Sequence, residues 1–394
     1  MSTAHDTSAR RDPSITAGHD GTAPRTPYLI LDLAAVRARY RLLSSLVPGA
    51  RIHYAVKANP APQVIATLVR AGSCFDVASR PEIELCLSAG ARAEDISYGS
   101  TVKKCSDIAF AHENGVRRFA FDSLAELHKI AEYAPGADVF GRLRSDGQGS
   151  VFPLDGKFGS PAGLVADLLV EARRLGLNPV GVSFHVGSQQ LDPYAWGPSI
   201  ASTAEIFDKV AAAGIRLGVI NLGGGLPGTY GPEVPPLAEY GRAIDECLER
   251  AFGANRPEVM IEPGRSMVAD AGTLHSEVVL VSRRDGSAGA RWVYLDVGRF
   301  GGLAETEGEL IHYPMRTAHD GEPSAPVVLA GPTCDSADVL YRHHPYLLPE
   351  SLRAGDRVQL LCTGAYTVSY SSVGFNGFGP LTCRCVDSPD AAGA

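Results

Sequence analysis

The sequence predicts an α/β fold, a closed (β/α)8 TIM barrel followed by an all-β domain, and three observations carry that reading. Eight short apolar runs, at 52–56, 74–78, 96–99, 118–121, 138–143, 179–186, 217–222 and 259–262, alternate with longer amphipathic stretches such as Pro62–Ala71, Arg80–Ala89 and Leu237–Ala251. Helical connections demand parallel strands, and eight such units in roughly 230 residues is the size of a closed barrel. An open doubly wound sheet is the competing reading, but it wants a Gly-rich phosphate turn early in the chain, and none is there. After Arg265 the rhythm changes to short β-type runs (HSEVVLVSRR, RWVYLDV, APVVLAG, DRVQLLCTG, LTCRCV) between Gly, Pro and Asp turns, which predicts a β domain over 266–388.

Residues 1–25 hold almost no large apolar groups and are expected to be disordered. TPYLILDL (26–33) is the first strand, and Ala34–Leu46 carries apolar residues at helical spacing. The barrel domain is placed at 26–265 with that leading strand, and the tail 389–394 is read as loose. The composition excludes several functions. Of 394 residues, 45% are hydrophobic and 20% charged, an ordinary globular balance, and the net charge of -8 without a basic block argues against nucleic acid. No apolar run is long enough to span a membrane, and no apolar signal core opens the chain. The eight cysteines form no pair of metal-type CxxC motifs, so no metal is expected; Cys383 and Cys385 read as alternate positions on one strand. A cytoplasmic protein with free thiols follows from that usage.

In such a barrel the active site lies at the carboxyl ends of the strands. Reading those positions in order gives Lys57, Asp76, Ser100, Asp122, Arg142, His185, Gly223-Gly224-Gly225 and Glu262-Pro263-Gly264-Arg265. Lys57 ends the buried run IHYAV and precedes an Asn-Pro turn, where an amine either caps the strand into solvent or forms a Schiff base with a carbonyl cofactor. The triple glycine admits a ligand to backbone N–H groups, as phosphate binding requires, or is a tight turn. Arg265 adds charge-assisted donors. Glu262 is a partner for a protonated ring nitrogen or for Arg265; His185 stacks on a flat ring, moves protons, or is a core histidine. Together they describe a pyridoxal 5'-phosphate pocket.

On these residues the chain resembles the barrel-type (fold type III) pyridoxal-phosphate amino-acid decarboxylases, the ornithine/diaminopimelate/arginine group. The markers are YAVKAN (54–59), FDVAS (75–79), FHVGSQ (184–189), GGG (223–225), EPGR (262–265), GPTCD (331–335) and GAYTVSYSSVGFNGF (364–378), and they span about Pro27 to Val386. The resemblance implies a β domain that also takes in the N-terminal strand, and a head-to-tail homodimer with shared sites. It implies that Lys57 carries the cofactor, His185 stacks on the ring, Glu262 pairs with its nitrogen, and Asp76 and Arg142 support the pocket. Ser188, Gly223, Gly224, Gly225, Gly264, Arg265 and Tyr366 would hold the phosphate. Cys334 and Asp335 would come from the partner subunit, the thiol governing product protonation and the carboxylate meeting the distal amine of a basic amino acid; Phe375 would line the pocket. A second acidic group for the substrate is expected within Asp296–Pro314, with Glu305 assigned and Glu307 or Glu309 as substitutes. GPTCD resembles the ornithine and lysine branch, so the implied reaction is L-ornithine to putrescine, in polyamine biosynthesis. L-lysine, diaminopimelate or arginine are alternatives, and an alanine-racemase-like enzyme or a non-catalytic regulatory homologue lies further off.

Overall fold

The computed structural model describes residues 24–389 apart from 155, 232, 285, 287 and 288, so the expectations for 1–23 and for the tail from 390 onward lie outside the described residues. The chain opens with strand β1 (Tyr28–Asp32) and helix α1 (Leu33–Leu46), whose N-cap Asp32 accepts the Ala34 N–H at 2.8 Å. Then follow β2 (Arg51–Ala55), α2 (Pro62–Ala71), β3 (Cys74–Val77), α3 (Arg80–Ser88), β4 (Ile96–Tyr98), α4 (Cys105–Glu113), β5 (Arg118–Phe121), α5 (Leu124–Tyr133) and β6 (Asp138–Arg142). The start and stop signals of α2 are local: Pro62 opens it and Gly72, at φ 85°, closes it. The second half of the barrel runs β7 (Ser150–Phe152), α6 (Ala162–Arg174), β8 (Asn178–Ser183), β9 (Ser188–Gln190), α7 (Gly197–Ala212), β10 (Val219–Asn221), α8 (Leu237–Phe252), β11 (Glu258–Ile261) and α9 (Arg265–Val268).

Eight of these strands, β2-β3-β4-β5-β6-β8-β10-β11, close into a barrel with every pairing parallel, and β11 returns to β2 through Met260 and Ile261 against Arg51 and Ile52. All eight correspond to apolar runs in the sequence. The short antiparallel pair of β7 with β9 carries no such run and is a product of the loops after β6 and β8.

The carboxyl-terminal domain contains β12 (Gly272–Arg283), β13 (Arg291–Leu295), β14 (Met315–Thr317), β15 (Ser324–Ala330), β16 (Val339–Pro349), β17 (Arg357–Leu361) and β18 (Thr382–Val386). They form one mixed sheet that β1 joins, antiparallel to β12 and parallel to β18. The first strand of the chain is therefore locked into the last domain. Cys383 and Cys385 lie on β18, and none of the cysteines is in a disulfide.

Strand β16 escapes a sequence reading because it contains Pro345, which interrupts a ladder. It is tolerated at the sheet edge, where the pairing with β15 slips between Val327 and Leu329. The slip frees the N–H groups of Arg342, His343 and His344, and the Glu309 carboxylate accepts all three, at 2.6, 2.7 and 2.8 Å. Glu309, His312 and His344 bring ligand-type atoms within 4.8 Å of one another, but the Glu309 oxygens are already engaged by those N–H groups and by His344 Nδ1 at 2.9 Å.

Two bonds fasten the β domain over the barrel mouth. Asn59 Nδ2 donates to the Gly364 carbonyl at 2.8 Å, and the Tyr366 N–H donates to the Ala58 carbonyl at 2.8 Å. Tyr366 itself has φ 54°. It thus reaches the site only because the loop after β17 turns back onto the residues flanking Lys57.

Candidate active site

Lys57 lies in a 3-10 turn, Val56–Ala58, directly after β2, and its side chain is 48% exposed at the barrel mouth. Its Nζ is 3.7 Å from Asp76 Oδ2, while the Asp76 side chain, on the neighbouring strand, is only 5% exposed. Asp76 Oδ1 is buried without a hydrogen bond. Space for it exists because residue 99 is glycine: a Cβ there would meet Asp76 Oδ1 at 2.0 Å. Burial first, and then the like charge of Glu262, raise the Asp76 carboxyl well above the usual range, against the pull of Lys57. For Lys57 burial acts downward, but Asp76, then Tyr366 and Glu262, outweigh it and hold the ammonium above its ordinary value.

His185 follows β8. Its Nδ1 accepts the Gly187 N–H at 3.1 Å, which places the remaining ring proton on Nε2. Burial, Lys57 and Arg142 keep the imidazole neutral by lowering its pKa far below the ordinary value. Arg142, at the end of β6, lies over the Phe158 ring at 5.2 Å. On the far side, Glu262 Oε1 accepts from Asn221 Nδ2 at 2.5 Å, and Asn221 Oδ1 accepts the Gly223 N–H at 2.9 Å. Asn221 therefore ties the carboxylate to the start of the glycine run. Glu262 Oε2 makes no hydrogen bond among the described residues. The run needs glycine: Gly223 and Gly225 have φ of 65° and 116°, and a Cβ on Gly223 would meet the Phe184 carbonyl oxygen at 2.0 Å. Gly264 is closed in by the Ala58 and Ala55 methyls and by the Tyr366 hydroxyl.

Arg265 starts α9 and is 3% exposed. It donates to Ser188 Oγ from Nε and Nη2 at 3.3 and 3.2 Å, and to the Tyr230 hydroxyl at 3.0 Å. The Phe152, Tyr230 and Tyr366 rings surround its guanidinium at 5.4, 5.7 and 4.7 Å.

An amine beside a buried acid, a neutral imidazole, a carboxylate oxygen held open and a glycine cradle flanked by Arg, Ser and Tyr fit pyridoxal phosphate group by group. Residues 33–269 match the family described as pyridoxal-dependent decarboxylase, pyridoxal binding domain. A lysine/ornithine decarboxylase of Selenomonas ruminantium is 35% identical over 355 residues, covering 90% of this chain and 88% of that protein. The solved lysine/ornithine decarboxylase of Vibrio vulnificus complexed with putrescine superposes with a TM-score of 0.82 at 32% identity, over 92% of this chain and 94% of the other. The Paramecium bursaria Chlorella virus arginine decarboxylase bound to agmatine gives a TM-score of 0.84 at 29% identity, over 92% and 98%. The chain belongs to the pyridoxal-dependent decarboxylases. It is an enzyme, and its cofactor is pyridoxal phosphate.

Cys334 and Asp335, expected at the site from the partner subunit, are exposed on the β domain after β15 of this chain, and their hydrogen bonds run to Asn376 and Ala337. Among the described residues none joins them to Lys57, His185 or Glu262. Phe375 packs on Phe300 with ring centroids 4.9 Å apart. Glu305, expected at the substrate, is committed elsewhere: its two oxygens each accept from Arg265 at 2.6 Å, with 8% of its side chain exposed. A bidentate partner buried in this way is not available to a substrate ammonium. Glu309 is likewise engaged by the β16 backbone. Asp122 ties loops together, accepting from Thr101 and the Gly159 N–H at 2.8 and 2.9 Å, and Ser100 donates to the Val102 carbonyl.

Asn221 and Tyr230 were missed. Asn221 had a readable signal, a polar residue ending a barrel strand just before the glycine run. Tyr230 had none, since it lies in a loop and reaches Arg265 only through the fold.

Proposed function

We propose that this decarboxylase acts on a basic L-amino acid, L-ornithine first, releasing CO2 and putrescine, in a homodimer whose sites combine both subunits. The observation that carries this reading is the division of the machinery within one chain. The cofactor residues gather around Lys57, while Cys334 and Asp335 stand exposed on the other domain, open to the barrel mouth of a second copy. Asp335 Oδ1 accepts the Ala337 N–H at 2.8 Å, which orients the carboxylate and leaves Oδ2 to an ammonium. The relatives bound to putrescine and agmatine support a basic side chain on the substrate. The unpaired cysteines suit the cytoplasm, where thiols stay reduced.

When bound, pyridoxal phosphate supplies an aldehyde and a pyridine ring that accepts the electron pair left on Cα as CO2 departs. Lys57, its amine at the barrel mouth, is the residue that would hold the aldehyde and yield to the substrate amine. Glu262, fixed by Asn221 through Oε1, would keep the ring nitrogen protonated through Oε2. His185, whose burial disfavours the charged form, would cover one ring face and exclude water from it. Cys334 of the second copy delivers the proton that replaces the carboxyl group on Cα, and Asp335 of that copy holds the distal ammonium.

L-lysine differs from L-ornithine by one methylene, worth about 1–3 kcal/mol in a pocket. The test is a panel of L-ornithine, L-lysine, L-arginine and meso-diaminopimelate, with each product amine identified by mass. Ornithine should show the highest kcat/KM. A diaminopimelate rate equal to it, or racemisation without CO2 release, would overturn the assignment.

A further inference from the structure

The hydrogen bonds of Arg265 leave no donor idle. Nη1 serves Glu305 Oε2 and the Tyr230 hydroxyl, Nη2 serves Glu305 Oε1 and Ser188, and Nε serves Ser188. A guanidinium has five N–H groups, and all are spoken for. The fork, the edge best shaped to grip an oxyanion, is closed by Glu305 at 2.6 Å on both prongs. The other edge, Nε with Nη2, holds Ser188 Oγ as acceptor. Ser188 donates to nothing among the described residues, so its own O–H is free.

We propose that Glu305 is a positioning residue for the cofactor phosphate: by taking the fork of Arg265 it turns the Nε edge and the Ser188 hydroxyl toward the phosphate. The inference rests on the reading that this end of the barrel mouth holds the phosphate of pyridoxal phosphate. Glu305 stands 40 residues from Arg265 in sequence, on the segment Ala304–Glu309 of the β domain, so the cradle is completed across the two domains. The aromatic walls of Phe152, Tyr230 and Tyr366 limit tilting of the guanidinium, while its rotation in plane is set by its hydrogen bonds. The two shortest, at 2.6 Å, go to Glu305; those to Tyr230 and Ser188 are 3.0 Å or longer.

Charge and orientation make opposite predictions. If Glu305 mattered only as a negative charge near an anion, removing it would tighten phosphate binding. If it orients Arg265, removing it loosens binding, because the fork swings free and Ser188 loses the donors that aim it.

The test compares pyridoxal phosphate with pyridoxal, which carries the same aldehyde and ring without the phosphate, by titrating each into cofactor-free protein and following the visible band. In the wild type the phosphate compound should bind more tightly. Glu305→Ala should weaken pyridoxal phosphate by about 10-fold or more, the scale of a charge-assisted pair, and leave pyridoxal within about two-fold. Glu305→Gln, which keeps one acceptor of the same shape, should fall between. It also carries the test alone should circular dichroism show the alanine variant unfolded. Equal losses for both compounds would mean a purely structural role, and unchanged or tighter phosphate binding a charge effect; either overturns the inference. A wild type that does not distinguish the two compounds refutes the phosphate reading itself.

Discussion

Lys57 Nζ sits 3.7 Å from Asp76 Oδ2, an amine at the open mouth of the barrel facing a carboxylate sealed in its wall. Asp76 is the strongest of the charges that hold the ammonium protonated, and a protonated amine cannot attack an aldehyde. Attachment of pyridoxal phosphate to the cofactor-free protein should therefore speed up with rising pH. In Asp76→Asn the Lys57 pKa falls and the midpoint of that profile moves to lower pH, with faster attachment at pH 7. Stopped-flow absorbance across pH 6–10 checks it; a midpoint that stays put or rises would falsify the assigned role of Asp76.

Asn221 fixes one oxygen of Glu262 and caps the first glycine of the cradle. Asn221→Ala removes a hydrogen bond to a charged group, worth about 1.5–3 kcal/mol. The expected loss in kcat is about 10- to 100-fold. Cofactor stoichiometry, read from absorbance, should stay near one per chain. A variant of normal kcat would show that Glu262 needs no such anchor.

The division between Lys57 and Cys334 predicts complementation. Lys57→Ala and Cys334→Ala should each be nearly inactive as pure proteins. Mixed after subunit exchange, they should recover about a quarter of wild-type activity, because half of the dimers are hybrids and each hybrid has one intact site. Mixtures that remain dead would mean that one chain supplies both residues to its own site.

Glu309 links acid stability to the β16 bulge. Burial pushes its carboxyl up, but the N–H groups of His343, Arg342 and His344, then the His344 ring, outweigh that and hold it down to about 2. A carboxyl lowered in the folded state stabilises above its unfolded value and loses that contribution as pH falls toward 2. Discounted for its nearness to solvent, Glu309→Gln should cost about 1–2 kcal/mol at pH 7. Urea unfolding at pH 7 and pH 3 should show the gap between variant and wild type narrowing in acid. A gap that is constant with pH would remove the link.

The legible part of this protein was local. Each barrel strand announces itself as a mostly apolar run of four to eight residues, and parallel strands joined by helices all end on one face. Lys57, Asp76, Arg142, His185, Gly223 and Glu262 could thus be gathered into one pocket from their positions alone. The β domain was harder. Strand β16 hides behind Pro345, and the β7–β9 pair depends on two loops meeting. Glu305 shows the limit most clearly: an acidic residue in the expected stretch, it reads in sequence as a substrate ligand, yet its oxygens are spent on Arg265.

By itself the sequence determined the order and type of the barrel elements, the residues at the strand ends, and so the cofactor they suit. Periodicity and turn chemistry act over a few residues, and a barrel converts that short-range pattern into a common rim. Only the tertiary structure decided which acid neutralises which base, that Asn221 and Tyr230 belong to the site, and that Glu305 is bound to Arg265. Those outcomes depend on side chains brought together from distant parts of the chain, where direction and distance are set by packing between domains and leave no mark on the local pattern.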